Sequence, residues 1–476
     1  MYKGLCPARP IPKPRYAAVR TLFDPERPDA SNILDSQALV LYFPGPKTVT
    51  GEDILELHVH GGPATVKAVL SAIPNSASSG AIRYAEPGEF TKRAFLNDRL
   101  DLGQVESLSD SLSAETEQQR RAAVRGNSGV LGRTYEAWRE QLLLARGEIE
   151  ALIDFSEDQH FDESPTELLR NVTKVVREML HSVDIHEMVN QRSELLRNGI
   201  RIALLGPPNV GKSSLMNLIV GREASIVSSE AGTTRDIVEV NLDIRGYLCT
   251  FADTAGFRSH SSIHTEALGA VEQEGIRRAK SKALDSDVVI VLASVEANPG
   301  GGHMIAYDAE TLELAANAQQ HLLVINKRDS VTEAELHSLV ADFVATTLSP
   351  VQAYAEAEPL TISCREAETS SLGLTDAGGI QRLIQNLTRS FAAMTSLPEG
   401  MEVLLGGTER QRQLLALCRQ HLEDFLAEVG TEGEGGEPDV VLAAEHLRYA
   451  AECLARITGR GDAGDVGEVL GVIFEK

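Results

Sequence analysis

Ile202-Ala203-Leu204-Leu205-Gly206-Pro207-Pro208-Asn209-Val210-Gly211-Lys212-Ser213-Ser214-Leu215-Met216 decides how the middle of this 476-residue chain folds. Ile202 to Leu205 reads as a buried strand. Gly206 to Ser213 fits the pattern G-x-x-x-x-G-K-S/T, and Leu215, Met216, Leu218 and Ile219 then begin an apolar helix. Strand, glycine-rich loop and helix is the context that pattern requires. Backbone N–H groups at a helix N-terminus suit phosphate, because the unpaired donors and the helix dipole both favour negative charge. Lys212 is expected to reach β- and γ-phosphates, and the Ser213 hydroxyl to bind Mg²⁺. A glycine-rich turn that binds nothing is the competing reading.

Three further stretches, in order along the chain, decide against that turn. Asp253-Thr254-Ala255-Gly256 follows a strand ending at Phe251-Ala252. Its carboxylate can hold Mg²⁺ through water, and its glycine N–H can sense a γ-phosphate. Asn326-Lys327-Arg328-Asp329 closes the strand Leu322–Ile325, and an Asp carboxylate there can accept from guanine N1–H and N2–H₂, which adenine does not offer. Thr361-Ile362-Ser363-Cys364, with Arg365 after it, supplies a loop against the base. Gly232-Thr233-Thr234-Arg235-Asp236 stands where a first switch belongs, with Thr234 expected as a second Mg²⁺ ligand. These elements resemble the GTPase superfamily. Phe257 stands where many GTPases carry a Gln that orients the attacking water, so the charge of the transition state must be met in another way.

Outward from this centre the hydrophobic period changes. Leu248–Ala252, Val288–Leu292 and Leu322–Ile325 are further strands with helices between them, which predicts a parallel sheet with helices on both faces. Residues 103–198 read as long helices, with Tyr135, Trp138, Leu142, Ala145, Ile149 and Leu152 on one face. After about residue 395 helices return: Leu414, Cys418, Leu422 and Phe425 share one face, and Leu447, Ala450, Leu454 and Ile457 another. Gly433–Pro438 is a polar linker, and Ser259–Thr265 and Ala297–His303 read as surface insertions. Residues 1–102 mix short strands (Ala38–Phe43, Asp53–His60) with turns and a helix over Ala64–Ile73. The predicted class is α+β multidomain: an N-terminal α+β domain over 1–102, then an α-helical domain (103–198 and 395–476) interrupted by an inserted P-loop α/β G domain over 199–394.

A hydrophobic fraction of 42% allows a real core, and the net charge of −24 argues against coating nucleic acid by bulk attraction. It leaves room for a nucleic-acid substrate held by a small basic patch or by a partner. No run of 18 apolar residues is present. Cys6, Cys249, Cys364, Cys418 and Cys453 show no zinc spacing and suit a reducing compartment. His58 and His60 lie two apart on one strand face, but no further ligand stands at metal spacing.

Outside the central motifs, Phe43-Pro44-Gly45-Pro46, Thr50-Gly51-Glu52-Asp53, Glu56, His60-Gly61-Gly62-Pro63 and the long run Pro87–Leu102 resemble one family, the MnmE/TrmE tRNA modification GTPases. The resemblance implies an N-terminal domain that dimerises and binds a 5-formyltetrahydrofolate-type folate, with Glu56 on the pterin and Arg99 as the basic residue of that site. It implies a homodimer that works with an FAD-dependent MnmG/GidA-type subunit on carbon 5 of the tRNA wobble uridine, in a carboxymethylaminomethyl-type modification. GTP would be held by Asn209, Val210, Gly211, Lys212, Ser213, Ser214, Ser228, Thr233, Thr234, Asp253, Thr254, Ala255, Gly256, Asn326, Lys327, Asp329, Ser363, Cys364 and Arg365. Mg²⁺ would sit on Ser213 and Thr234. K⁺ would take the place of an arginine finger on Asn209, Ser228, Glu230 and Thr233. Lys212, Asp253, Thr234 and a water-orienting Glu272 would be catalytic, with Glu274 the alternative to Glu272.

Two departures from the family pattern accompany this. The family's usual first strand and Gly-rich segment, with a folate-binding Arg, precede the position of Met1. Its closing Phe-Cys-Ile-Gly-Lys would follow Ile473-Phe474-Glu475-Lys476. A fragment is therefore expected, with GTP hydrolysis surviving and folate binding and modification put in question. The alternative function is a ribosome-assembly GTPase without modification chemistry. The expected location is mitochondrial, with bacterial cytoplasm as the alternative.

Overall fold

In the computed structural model, residues 1–476 are described except 77–81, 155–164, 223, 228–239, 253–284, 299, 356–357, 370–375, 377, 399, 402–403, 431–438 and 461–476. The chain divides into two compact units. One comprises 1–109, 127–180 and 413–476; the other comprises 110–126 and 181–412.

The first unit starts with α1 (Tyr2–Leu5) and an antiparallel meander of β1 (Ala18–Phe23), β2 (Ile33–Phe43) and β3 (Ile54–His58). Alternation along β2 sends Ala38 and Val40 inward, where α2 (Pro63–Asn75) covers them with Val69 and Ala72. α3 (Glu89–Leu96) and α4 (Leu102–Ser113) follow. Asp101 and Gln104 start α4 with a reciprocal cap: Gln104 N–H donates to Asp101 Oδ1 at 2.8 Å, and Asp101 N–H donates to Gln104 Oε1 at 3.0 Å. The later part of this unit is helical. α6 (Val130–Asp154) buries Tyr135, Leu142, Ala145, Ile149 and Leu152, at the predicted spacing, against the helix Val440–Thr458. The Ala-rich face of that helix (Ala443, Ala444, Ala450, Ala451) permits close approach.

The second unit is built on β4 (Ile200–Leu205), β5 (Ala224–Ile226), β6 (Val240–Ile244), β7 (Tyr247–Ala252), β8 (Val288–Ala297), β9 (His303–Ala306), β10 (Gln320–Asn326) and β11 (Leu360–Thr361). The order is β11-β10-β8-β4-β7-β6-β5, with β9 paired to β8. β11, β10, β8, β4 and β7 run parallel, as predicted. In β8, Val288 to Val295 are all buried, which is what a central parallel strand covered on both faces demands. α8 (Lys212–Arg222) and the helix Ile380–Thr395 join the core on one face, and Leu312, Ala315 and Phe343 pack on the other. Burial of each such large apolar side chain contributes roughly 1.5–3 kcal/mol.

The sheet departs from the predicted all-parallel pattern at two places. Arg245 and Gly246, both at positive φ (51° and 90°), make a tight two-residue turn that folds β6 antiparallel onto β7, and β5 follows antiparallel. The stretch Ala297–His303, read as a surface insertion, is the turn of a hairpin: β9 pairs back on Ser294–Ala297 of β8, with Gly301 and Gly302 at positive φ. Two further helices are α5 (Glu117–Gly126) and α7 (Pro165–Asn198). In the second unit Ala122, Val189, Leu196 and Leu405 form a small apolar cluster. No helix among the described residues is long and apolar enough to cross a membrane.

Candidate functional site

β4 ends at Leu205 and the chain turns at Gly206 into α8. Gly206 sits at φ 146°, and an added Cβ would lie 2.1 Å from the Leu292 carbonyl of β8. Only a residue without a side chain lets the loop leave the sheet this close to its neighbouring strand. Gly211, at φ 100°, meets a second limit: its Cβ would lie 2.3 Å from Asn326 Nδ2. Asn209 also takes a left-handed backbone (φ 63°) and is exposed at the loop's tip. Lys212 Nζ donates to the carbonyls of Gly206 and Pro207, at 2.7 Å each, and so stands over the loop. Ser213 and Ser214 occupy the first turn of α8.

The structure ties three separate sequence motifs together at Asn326. This side chain is 2% exposed. Its Nδ2 donates to the Val210 carbonyl at 2.8 Å, and its Oδ1 accepts from Cys364 N–H at 3.1 Å. One amide thereby fixes the phosphate-type loop to the loop after β11. Beside it, Ser363 Oγ donates to Asp329 Oδ1 at 2.6 Å. This bond holds the Asp329 carboxylate in place. Burial pushes the Cys364 thiol up to about 11, so it acts as a packing group and not as a nucleophile. Arg365 follows on the exposed side.

Three supporting residues were not singled out from sequence. Glu296, on the β8 extension, pairs with Lys327, and Ser294 Oγ donates to the same carboxylate oxygen at 2.7 Å. The bond from Lys327 holds the Glu296 carboxyl below its ordinary value. Gly378 lies under the last loop: an added Cβ would be 2.4 Å from Ala367 Cβ, and its carbonyl accepts from Ser363 N–H at 3.0 Å. The Lys327 pairing spans 31 positions, a separation at which no local pattern signals a partner.

Ser228, Glu230, Thr233, Thr234, Asp253, Thr254, Ala255, Gly256, Glu272 and its alternative Glu274 lie outside the described residues, as do Ser259–Thr265 and Gly433–Pro438.

In the first unit, the two long N-terminal motifs are knitted together. Arg83 and Arg93 both bond Glu89, and Arg93 also reaches Glu52 at 2.8 Å. Arg83, with the Glu86 N–H and Arg93, holds Glu89 down to about 2. Asn97 Nδ2 donates to the Thr50 carbonyl at 2.8 Å, and Arg99 Nε to the Thr48 carbonyl at 2.9 Å. Glu56 is exposed on β3 and pairs with His58 Nε2 at 3.1 Å. No hydrogen bond joins Glu56 to Arg99 among the described residues. His60 Nδ1 and N–H both meet the buried Asp35 carboxylate, at 3.0 and 2.8 Å. His58 and His60 thus have carboxylate partners of their own.

A family model described as the MnmE helical domain matches residues 102–476, and one described as the GTP-binding protein TrmE N-terminus matches residues 2–99. The chain is 36% identical over 475 residues to a mitochondrial 5-taurinomethyluridine-tRNA synthase subunit, GTPB3, of Danio rerio, covering 98% of this chain and 85% of that protein. It is 37% identical over 472 residues to the Homo sapiens protein of the same description, with the same coverage. It is 38% identical over 471 residues to the tRNA modification GTPase MnmE of Paramagnetospirillum magneticum, covering 98% of this chain and 91% of that one.

Proposed function

The chain belongs to the MnmE/TrmE family of tRNA modification GTPases, and on that premise we propose that it binds and hydrolyses GTP while serving the modification of tRNA at carbon 5 of the wobble uridine. The observation that carries the nucleotide part is Asn326, whose buried amide locks the loop of residues 206–211 to the loop at Ser363–Cys364 and sets Asp329 beside them. The relatives in Danio rerio and Homo sapiens carry the 5-position of uridine in their names, which supports the site of modification. The carboxymethylaminomethyl-type group is part of the same reading.

The residues suit the groups the family implies. Around phosphate, Gly206 and Gly211 let the loop pack directly against Leu292 and Asn326, and α8 starts where that loop ends, so its N-terminus would face the phosphates. Lys212 would exchange its two carbonyl partners for β- and γ-phosphate oxygens. Asp329 would accept from the guanine N1–H and N2–H₂, which sets the base preference. Ser213, with Thr234, would hold Mg²⁺, whose charge offsets that of the phosphates. Asn209, exposed at the loop tip, would contribute to K⁺ together with Ser228, Glu230 and Thr233, supplying positive charge at the transition state. Asp253, Thr254, Ala255, Gly256 and the water-orienting Glu272 complete the reading.

The remaining proposals follow from membership. The chain acts as a homodimer with an FAD-dependent MnmG/GidA-type partner and tRNA, and Glu56 and Arg99 take a folate. The division into 1–102, 103–198, 199–394 and 395–476 is the domain layout proposed. The location is mitochondrial, with relatives in both mitochondria and bacteria.

The test is GTP turnover in K⁺ against Na⁺ across protein concentrations. Strong stimulation by K⁺ that grows with concentration is expected. Equal turnover in the two salts would remove the cation mechanism, and absence of GTP turnover in both would remove the proposed activity.

A further inference from the structure

The helices Glu409–Val429 and Val440–Thr458 bring together His421, Asp424 and His446, none of which the nucleotide reading uses. His421 and Asp424 stand three apart, hence on one face of their helix, and His446 comes from the other. One ligand atom from each lies within 4.8 Å of the other two. His446 Nδ1 is 4.0 Å from Asp424 Oδ2, and the two imidazole centroids are 6.0 Å apart. Nδ1 of His421 and Nδ1 of His446 are both buried with no hydrogen-bond partner. Buried polar atoms are ordinarily satisfied, so two orphaned ring nitrogens beside one carboxylate call for a ligand.

We propose that His421, Asp424 and His446 form a divalent-metal site of the Zn²⁺ type, with water as the fourth ligand. Two imidazoles and a carboxylate, with no thiolate, suit Zn²⁺ and its first-row neighbours better than Ca²⁺ or Mg²⁺. Bonds of about 2.0–2.1 Å place tetrahedral ligand atoms roughly 3.3 Å apart. Asp424 is 43% exposed, which leaves room for the water. Tyr449 stacks on His421 with centroids 5.3 Å apart and planes at 28°, and so fixes the ring's plane. Arg448 pairs with Glu445 at 2.8 Å and Glu452 at 3.6 Å, so its charge is compensated on its own helix. The bound ion would join the two helices.

The full chain, stripped with EDTA and free of nucleotide, is titrated with Zn²⁺ by calorimetry, and with Co²⁺ while its visible spectrum is followed. One saturable Zn²⁺ equivalent and a tetrahedral Co²⁺ spectrum are expected. His446→Ala and the shape-preserving Asp424→Asn should each weaken that equivalent. For His446→Ala the loss should exceed the ~10–100-fold caused by removing a hydrogen-bond partner behind a ligand. Changing the exposed His58 and His60 together to Ala should leave it unaltered. Absence of saturable Zn²⁺ binding, or binding of equal strength in Asp424→Asn and His446→Ala, overturns the site. If His446→Ala does not fold, Asp424→Asn decides.

Discussion

Replacing Asn326 with Ala removes a side chain that holds two loops of the proposed nucleotide site at once. The amide is 2% exposed, and its two bonds run to the Val210 carbonyl (2.8 Å) and the Cys364 N–H (3.1 Å). Ala leaves that carbonyl and that N–H unsatisfied in a closed space, at ~1–3 kcal/mol each. The whole loss is therefore about 2–6 kcal/mol. Part of it lowers stability. The rest appears as weaker nucleotide binding, because the ligand must then order loops that the amide no longer holds. If about 1.4 kcal/mol falls on binding, affinity drops roughly tenfold. The assay is equilibrium binding of a fluorescent GDP, with the urea midpoint measured on the same protein. Asn326→Asp sharpens the test. It keeps an acceptor for Cys364 N–H but turns a carboxylate oxygen toward the Val210 carbonyl, so it should cost at least as much as Ala. Unchanged GDP affinity together with an unchanged urea midpoint in Asn326→Ala would refute the reasoning.

Asp329→Asn should shift base preference from GTP toward XTP, since two bonds from guanine to a charged acceptor are worth ~1.5–3 kcal/mol each; competition between the two nucleotides reads this, and an unchanged ratio counts against Asp329 as the base reader. His186, 6% exposed, is pushed down to about 4 by burial. Its unfolded value is near 6.5, so between these pH values the unfolded chain binds more protons and stability falls on acidification. The loss is about 3 kcal/mol on reaching pH 4, and urea midpoints at pH 7 and pH 5 should converge in His186→Gln; an identical pH slope in variant and parent would be the contrary result.

Much of the fold could be read from short-range patterns. The apolar runs of β4 and β8 announce buried parallel strands, and Asp101-x-x-Gln104 announces the start of α4. Arg245-Gly246 lacks the Asn-Gly or Asp-Gly pair that marks a two-residue hairpin, so the antiparallel edge of the sheet was not legible there. The partners across space were not. Lys327 meets Glu296 only because β10 lies beside β8, and Gly378 supports Ser363 only because the chain returns under β11. Asn326 was read from its motif as part of the nucleotide site; that its amide also bridges the Val210 carbonyl and the Cys364 N–H was not legible there. His58 and His60 are close in sequence but paired to separate carboxylates. His421 and His446 are distant in sequence yet face the same Asp424. Spacing along one strand or helix reports one face, and a site assembled from two elements has no such period.

The division of labour in the proposed site follows from where its bonds lie. Gly206, Gly211, Lys212, Asn326, Asp329 and Ser363 form contacts among themselves before any ligand is added. Such preorganisation lowers the ordering cost of binding, so in the proposed site these residues would govern affinity for the base and the phosphates. Rate has a different origin. No Gln follows Asp253-Thr254-Ala255-Gly256, and the positive charge of hydrolysis is assigned to K⁺ and to residues outside that preformed set. The preorganised set contains no group placed to activate water. Lys212 stabilises charge but cannot generate a nucleophile while it stays protonated. In the proposed site, guanine-nucleotide binding and fast turnover would therefore be separable: the first would belong to loops that the fold already fixes, and the second would depend on what completes the site.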